Sequence, residues 1–140
     1  MLEDVAINYL SVLGAAVASM IVGMAWYSPL LFGKKWMQLS GVSQEECEKA
    51  KKKGMATIYL AGFANCLVMS LVLAFFMDRT GVVTLMDALI VAIAAWLGFM
   101  ATLLMSAVLW EKKPVGLFLI GAGYYLVVLL VAGTLLSLFP

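Results

Sequence analysis

Four long, largely apolar runs decide what this chain can become: Val5–Tyr27, Met55–Met77, Leu85–Trp110 and Val115–Phe139. Each meets the length of about 20 residues that a helix needs to cross a bilayer. A soluble domain is roughly 45–50% apolar and about 25% charged. This chain is 65% hydrophobic and 12% charged over its 140 residues, more apolar surface than so short a chain can hide from water. The expected fold is all-α: a polytopic membrane protein with four transmembrane helices. Residues 1–140 form a single membrane domain, and residues 28–54 supply an interfacial or cytoplasmic helical segment between the first two spans.

The remaining composition excludes several functions. A net charge of +1 suggests no nucleic-acid partner. There is no histidine, Cys47 lies in the polar connection and Cys66 inside the second span. A disulfide between them, a CxxC redox centre, a metal site and a bound cofactor are therefore not expected. Neither serines nor cysteines have an evident activating base, so the chain is not expected to be an enzyme. The first run also exceeds the usual 7–15 residues of a signal-peptide core. Its flank, Met1-Leu2-Glu3-Asp4, is acidic rather than basic, so it is read as a retained helix.

The apolar character first breaks at Trp26-Tyr27-Ser28-Pro29-Leu30-Leu31-Phe32-Gly33-Lys34-Lys35-Trp36. Trp and Tyr favour the membrane–water boundary, and Pro29 cannot sit inside a continuing helix. The stretch is expected to leave the first span and turn along the membrane surface. Lys34, Lys35, Lys51, Lys52 and Lys53 are candidate contacts for anionic lipid headgroups as well as topological anchors. Ser43-Gln44-Glu45-Glu46 has the capping-box pattern that opens a new helix, with acids first and lysines after. Thr84-Leu85-Met86-Asp87 repeats the pattern at the third span, which places Asp87 as a first-turn acid.

Each span carries a face of small residues. Asn8, Ser11, Ala15, Ser19 and Gly23 share one face of the first. Gly62, Cys66, Ser70 and Ala74 line the second, and Ala88, Ala92, Ala95, Gly98, Thr102 and Ser106 the third. Such faces let helices approach closely, within a chain or between copies. At about 1.5 Å per residue, Ser19, Asn65, Thr102 and Tyr124 or Tyr125 reach similar depths near the bilayer centre. They are expected to form a neutral polar layer, either bonding helix to helix or lining a solute or ion path.

Basic residues set the orientation. Every lysine falls in the first or third connection, and Arg79 alone in the second. The positive-inside rule then places the lysine-rich connections in the cytoplasm and both termini outside the cytoplasmic membrane.

The stretch from Trp26 to Met37, with Asn8-Tyr9, Trp96-x-Gly98-Phe99 and Gly123-Tyr124-Tyr125, resembles a family of small bacterial and archaeal membrane proteins of unknown function. The resemblance spans nearly the whole chain. It implies a four-helix membrane fold and draws Trp26, Tyr27, Ser28, Pro29, Phe32, Gly33, Lys34 and Trp36 together as an interface or partner motif. Small multidrug transporters share the size but need an acid deep in the first helix, which is lacking here. The expected role is helix–helix contact, as a homo-oligomer or as a subunit beside another membrane protein. The alternative is a small-solute or ion conduit.

Overall fold

The computed structural model describes residues 3–140; Met1 and Leu2 of the acidic flank lie outside the described residues. It is 78% helix, with no strand among those residues. In order come α1 (Tyr9–Trp26), α2 (Gly33–Ser40), α3 (Gln44–Lys52), α4 (Ala56–Arg79), α5 (Leu85–Ala95), a π-helical turn (Trp96–Ala101), α6 (Thr102–Leu109) and α7 (Val115–Leu138). The π turn makes α5 and α6 one continuous span, Leu85–Leu109, which with α1, α4 and α7 gives four helices long and apolar enough to cross a membrane. Between the first two lie α2 and α3, the helical connection expected from the polar sequence.

Helix starts follow local chemistry. The Asn8 side chain accepts from the Leu10 and Ser11 amides at 3.1 and 3.4 Å. Ser43 caps α3 through the Glu46 amide at 3.1 Å. Thr84 and Asp87 form a reciprocal capping box at α5. Replacing Thr84 with alanine is expected to cost about 1 kcal/mol. Faster hydrogen exchange confined to the first turn of α5 would report it.

Inside the membrane, helices gain little from excluding water and must gain from close packing. The spans accordingly meet through small residues. Ala15, Ala16, Ala88, Ala92 and Ala132 are completely buried. Gly133 lies so close to α5 that an added methyl would touch the Ala88 carbonyl and the Ala92 side chain, each at 3.5 Å. Helix α7 packs on both α1 and α5, while α4 packs chiefly on α1. All four spans converge near the chain termini, where Val12, Leu73, Ala92 and Leu129 share one core. There Asn8 donates to the Phe139 and Pro140 carbonyls and Ser11 to that of Phe139, tying the segment after α7 to the start of α1.

The opposite, lysine-rich end is looser. From Ala56 to Ala61, every residue of α4 is exposed.

Candidate functional site

The turn after α1 is built from both ends. The Ser28 hydroxyl donates back to the Ala25 carbonyl at 2.7 Å. The Phe32 amide reaches the Trp26 carbonyl and the Gly33 amide the Ser28 carbonyl, both at 3.0 Å. Pro29, with no amide hydrogen to offer, sits where the helix breaks. The result folds Trp26 against Phe32, ring centroids 4.7 Å apart, and Tyr27 edge-on to Trp36 at 6.2 Å. Tyr27 also meets Tyr124 edge-on at 5.3 Å, and Tyr124 lies tilted against Tyr125 at 4.9 Å. The interface motif thus joins Tyr124 and Tyr125 in one aromatic cluster, a link that their distance in sequence concealed.

Gly33 shows why this turn needs a glycine. A Cβ there would run into the Tyr27 carbonyl oxygen and lie 2.8 Å from that of Ser28. Both are backbone atoms, and neither can swing aside like a side chain.

Beyond the turn, α3 faces α2 across a groove of about 540 Å³. Tyr27, Pro29, Gly33, Trp36 and Met37 form one wall, and Gln44, Cys47, Glu48 and Lys51 the other. A Cys47 Sγ to Met37 Sδ contact of 3.7 Å bridges the two walls. Of the five candidate lipid lysines, Lys51 lines this groove, while Lys34, Lys35, Lys52 and Lys53 are exposed outside it. Sequence reading passed over Gln44, Cys47 and Glu48, although their spacing from Lys51 puts all four on one helical face.

The polar layer is not assembled within one chain. Ser19 is fully buried, but its hydroxyl donates within α1 to the Ala15 carbonyl at 2.8 Å. Asn65 points outward; its neighbour Cys66 takes the inward position. Thr102 is exposed, bonded at 2.8 Å to the Gly98 carbonyl of its own span. Depth along a helix carries no information about rotation around its axis. The π turn changes that rotation for Thr102, since one extra residue in a turn swings everything beyond it by about 100°. The small face expected to run from Ala88 to Ser106 is consequently split. Ala88 and Ala92 are buried against α7, whereas Gly98, Thr102 and Ser106 face out.

Two tryptophans hold α7. Trp26 donates its indole N–H to the Ile120 carbonyl at 3.0 Å, and Trp96, at the start of the π turn, to the Ala122 carbonyl at 2.7 Å. Gly123 makes room for the first, with the Trp26 ring 3.1 Å from the position of a Cβ. Among the described residues no His, Cys, Asp or Glu cluster is grouped to hold a metal ion.

Four apolar spans with a helical connection at one end define a multi-pass membrane protein in contact with lipid. The chain belongs to the family described as a protein of unknown function, DUF1761, whose model matches residues 10–137. No curated protein and no solved structure matches it.

Proposed function

We propose that this protein is a non-enzymatic membrane subunit that works through helix–helix contacts, with further copies of itself or with another membrane protein. The observation that carries this reading is Asn65, exposed on the outer face of an apolar span. Outward hydroxyls such as Thr102 and Ser106 satisfy themselves on carbonyls one turn back. An asparagine amide has two donors and an acceptor, and its side chain makes no hydrogen bond among the described residues. In hydrocarbon such a group gains by bonding across to another helix. The exposed Gly98 on the third span offers a second place of close approach, with open space where its Cβ would be.

Native mass spectrometry from mild detergent tests this. The wild-type chain is expected as a dimer, higher oligomer or complex. Asn65→Leu should weaken that association roughly 5- to 30-fold, the equivalent of about 1–2 kcal/mol, without lowering thermal stability. An unpartnered monomer in every mild detergent would sink the reading. The conduit alternative rests on the same outward groups, Asn65 and Thr102, which only an assembly would bring to a shared path. Flux across liposomes that is lost in Asn65→Leu would favour it.

The orientation proposed with this reading places the lysine-rich connections in the cytoplasm and both termini outside the cytoplasmic membrane. Lys52→Cys should react with a membrane-impermeant maleimide only from the cytoplasmic face. Val83→Cys, at a position 85% exposed in the second connection, should react from the outer face. The opposite pattern would reverse the topology.

A further inference from the structure

The groove between the Trp26–Gly33 turn and α3 contains charges that the helix–helix reading does not use. Glu48 and Lys51 are three residues apart on one face of α3, a spacing at which such residues commonly pair. They do not pair here: the ion pair found among the described residues is Arg79 with Asp78, at 2.7 Å. Glu48 and Lys51 instead line the groove together, with Tyr27 and Trp36 opposite.

Aromatic rings and a carboxylate around one space are the chemistry that receives an ammonium ion. A lysine ammonium one turn away is the chemistry that receives a phosphate. We propose that this groove binds the zwitterionic phospho-amine headgroup of a membrane lipid, its ammonium held by Glu48 with Tyr27 and Trp36, its phosphate by Lys51.

Three observations favour a lipid of this kind. The groove's volume of about 540 Å³ lies in the ordinary range for a small-molecule site. Its wall includes Pro29, and the next residues, Leu30 and Leu31, are 93% and 55% exposed at the end of a span, where acyl chains would cover them. The occupant therefore comes with a hydrophobic tail beside it. One acid and one base in the lining also match a headgroup carrying both charges. Lys34, Lys35, Lys52 and Lys53 are as exposed as Lys51 but do not line the groove with Glu48 and the two rings.

Titration of the purified full chain with phosphatidylethanolamine, followed by native mass spectrometry, tests the proposal. A one-to-one adduct is expected. Its affinity should fall about tenfold or more in Glu48→Gln and in Lys51→Gln, as for the loss of a charge-assisted hydrogen bond. Both residues are exposed on a solvated helix, so circular dichroism should show both variants folded. Phosphatidylglycerol should bind more weakly and respond little to Glu48→Gln. Retained phosphatidylethanolamine binding in folded Glu48→Gln would overturn the assignment, as would equal affinity for the two lipids. Displacement of the lipid by an equal concentration of soluble phosphoethanolamine would show that the site takes a free headgroup compound, and would overturn the lipid assignment. The groove lies apart from Asn65, so Asn65→Leu leaves this test intact and the two proposals fail separately.

Discussion

Gly33→Ala is expected to abolish the folded turn between α1 and α2 and to lower thermal stability in detergent sharply. Helix propensity alone points the other way. Gly33 is the first residue of α2, and alanine is favoured over glycine in a helix by about 1 kcal/mol. Sterics decide the sign. The new methyl would meet the carbonyls of Tyr27 and Ser28, the latter at 2.8 Å. The Ser28 carbonyl is held by the Leu31 and Gly33 amides, and the Tyr27 carbonyl sits between it and the Trp26 carbonyl, which the Phe32 amide holds; these bonds make the turn. Relief requires breaking one of them, which would also displace Tyr27 and Trp36 from the groove. Overpacking of this kind costs about 3 kcal/mol at the upper end of its usual range. Gly14→Ala is the control, because nothing lies within 4 Å of its added methyl. Its melting temperature should equal or exceed that of the wild type. A Gly33→Ala protein as stable as Gly14→Ala would show that the turn yields, and that the glycine is not sterically required.

Much of the architecture was legible because it follows from rules that act locally. Apolar length marked the spans, Ser43 and Thr84 marked helix starts, and Pro29 marked the break after α1. The first small face was legible in its middle: Ser11, Ala15 and Ser19 are buried as their spacing implied, whereas Asn8 at its start is exposed and caps α1. What escaped depended on rotation and on distant partners. Asn65 was placed in the layer by its depth alone, although the small face of α4 runs through its neighbour Cys66, which is buried with Ser70. Thr102 was misplaced because a π turn has no reliable local signature, and a face drawn through Gly98 at α-helical spacing comes out on the wrong side. The groove was half legible. Its lysine and aromatic residues stood out as membrane-boundary chemistry, whereas Glu48 looked like one more acid on a solvated helix. Its significance appears only once α3 is seen to fold back toward Tyr27.

Trp26 and Trp96 should prove the most sensitive side chains for the docking of α7. They approach from different helices and donate to carbonyls only two residues apart, Ile120 and Ala122. Those carbonyls belong to α7 and keep their own helical partners, so the carbonyls lose little when an indole is removed. The indoles are a different matter, because an N–H left without a partner against the apolar spans has little water to bond, at Trp96 above all. Substituting phenylalanine removes the N–H together with its need for a partner. Trp26→Phe and Trp96→Phe should therefore each cost only about 1 kcal/mol for the hydrogen bond, apart from any packing loss. Alanine removes the ring as well and should cost about 3–5 kcal/mol. At Trp26 that includes the packing against Phe32 and the contact that fills the space at Gly123. Because both rings hold the same stretch of α7, releasing one frees backbone that the other was also restraining. The double alanine variant should be less destabilised than the two single losses together, by about 0.5–3 kcal/mol. Unfolding in graded denaturing detergent, followed through the remaining tryptophans, would measure the cycle. Strict additivity would mean that α7 is held at two independent points, and alanine variants no weaker than their phenylalanine counterparts would mean that the rings contribute nothing beyond their N–H groups.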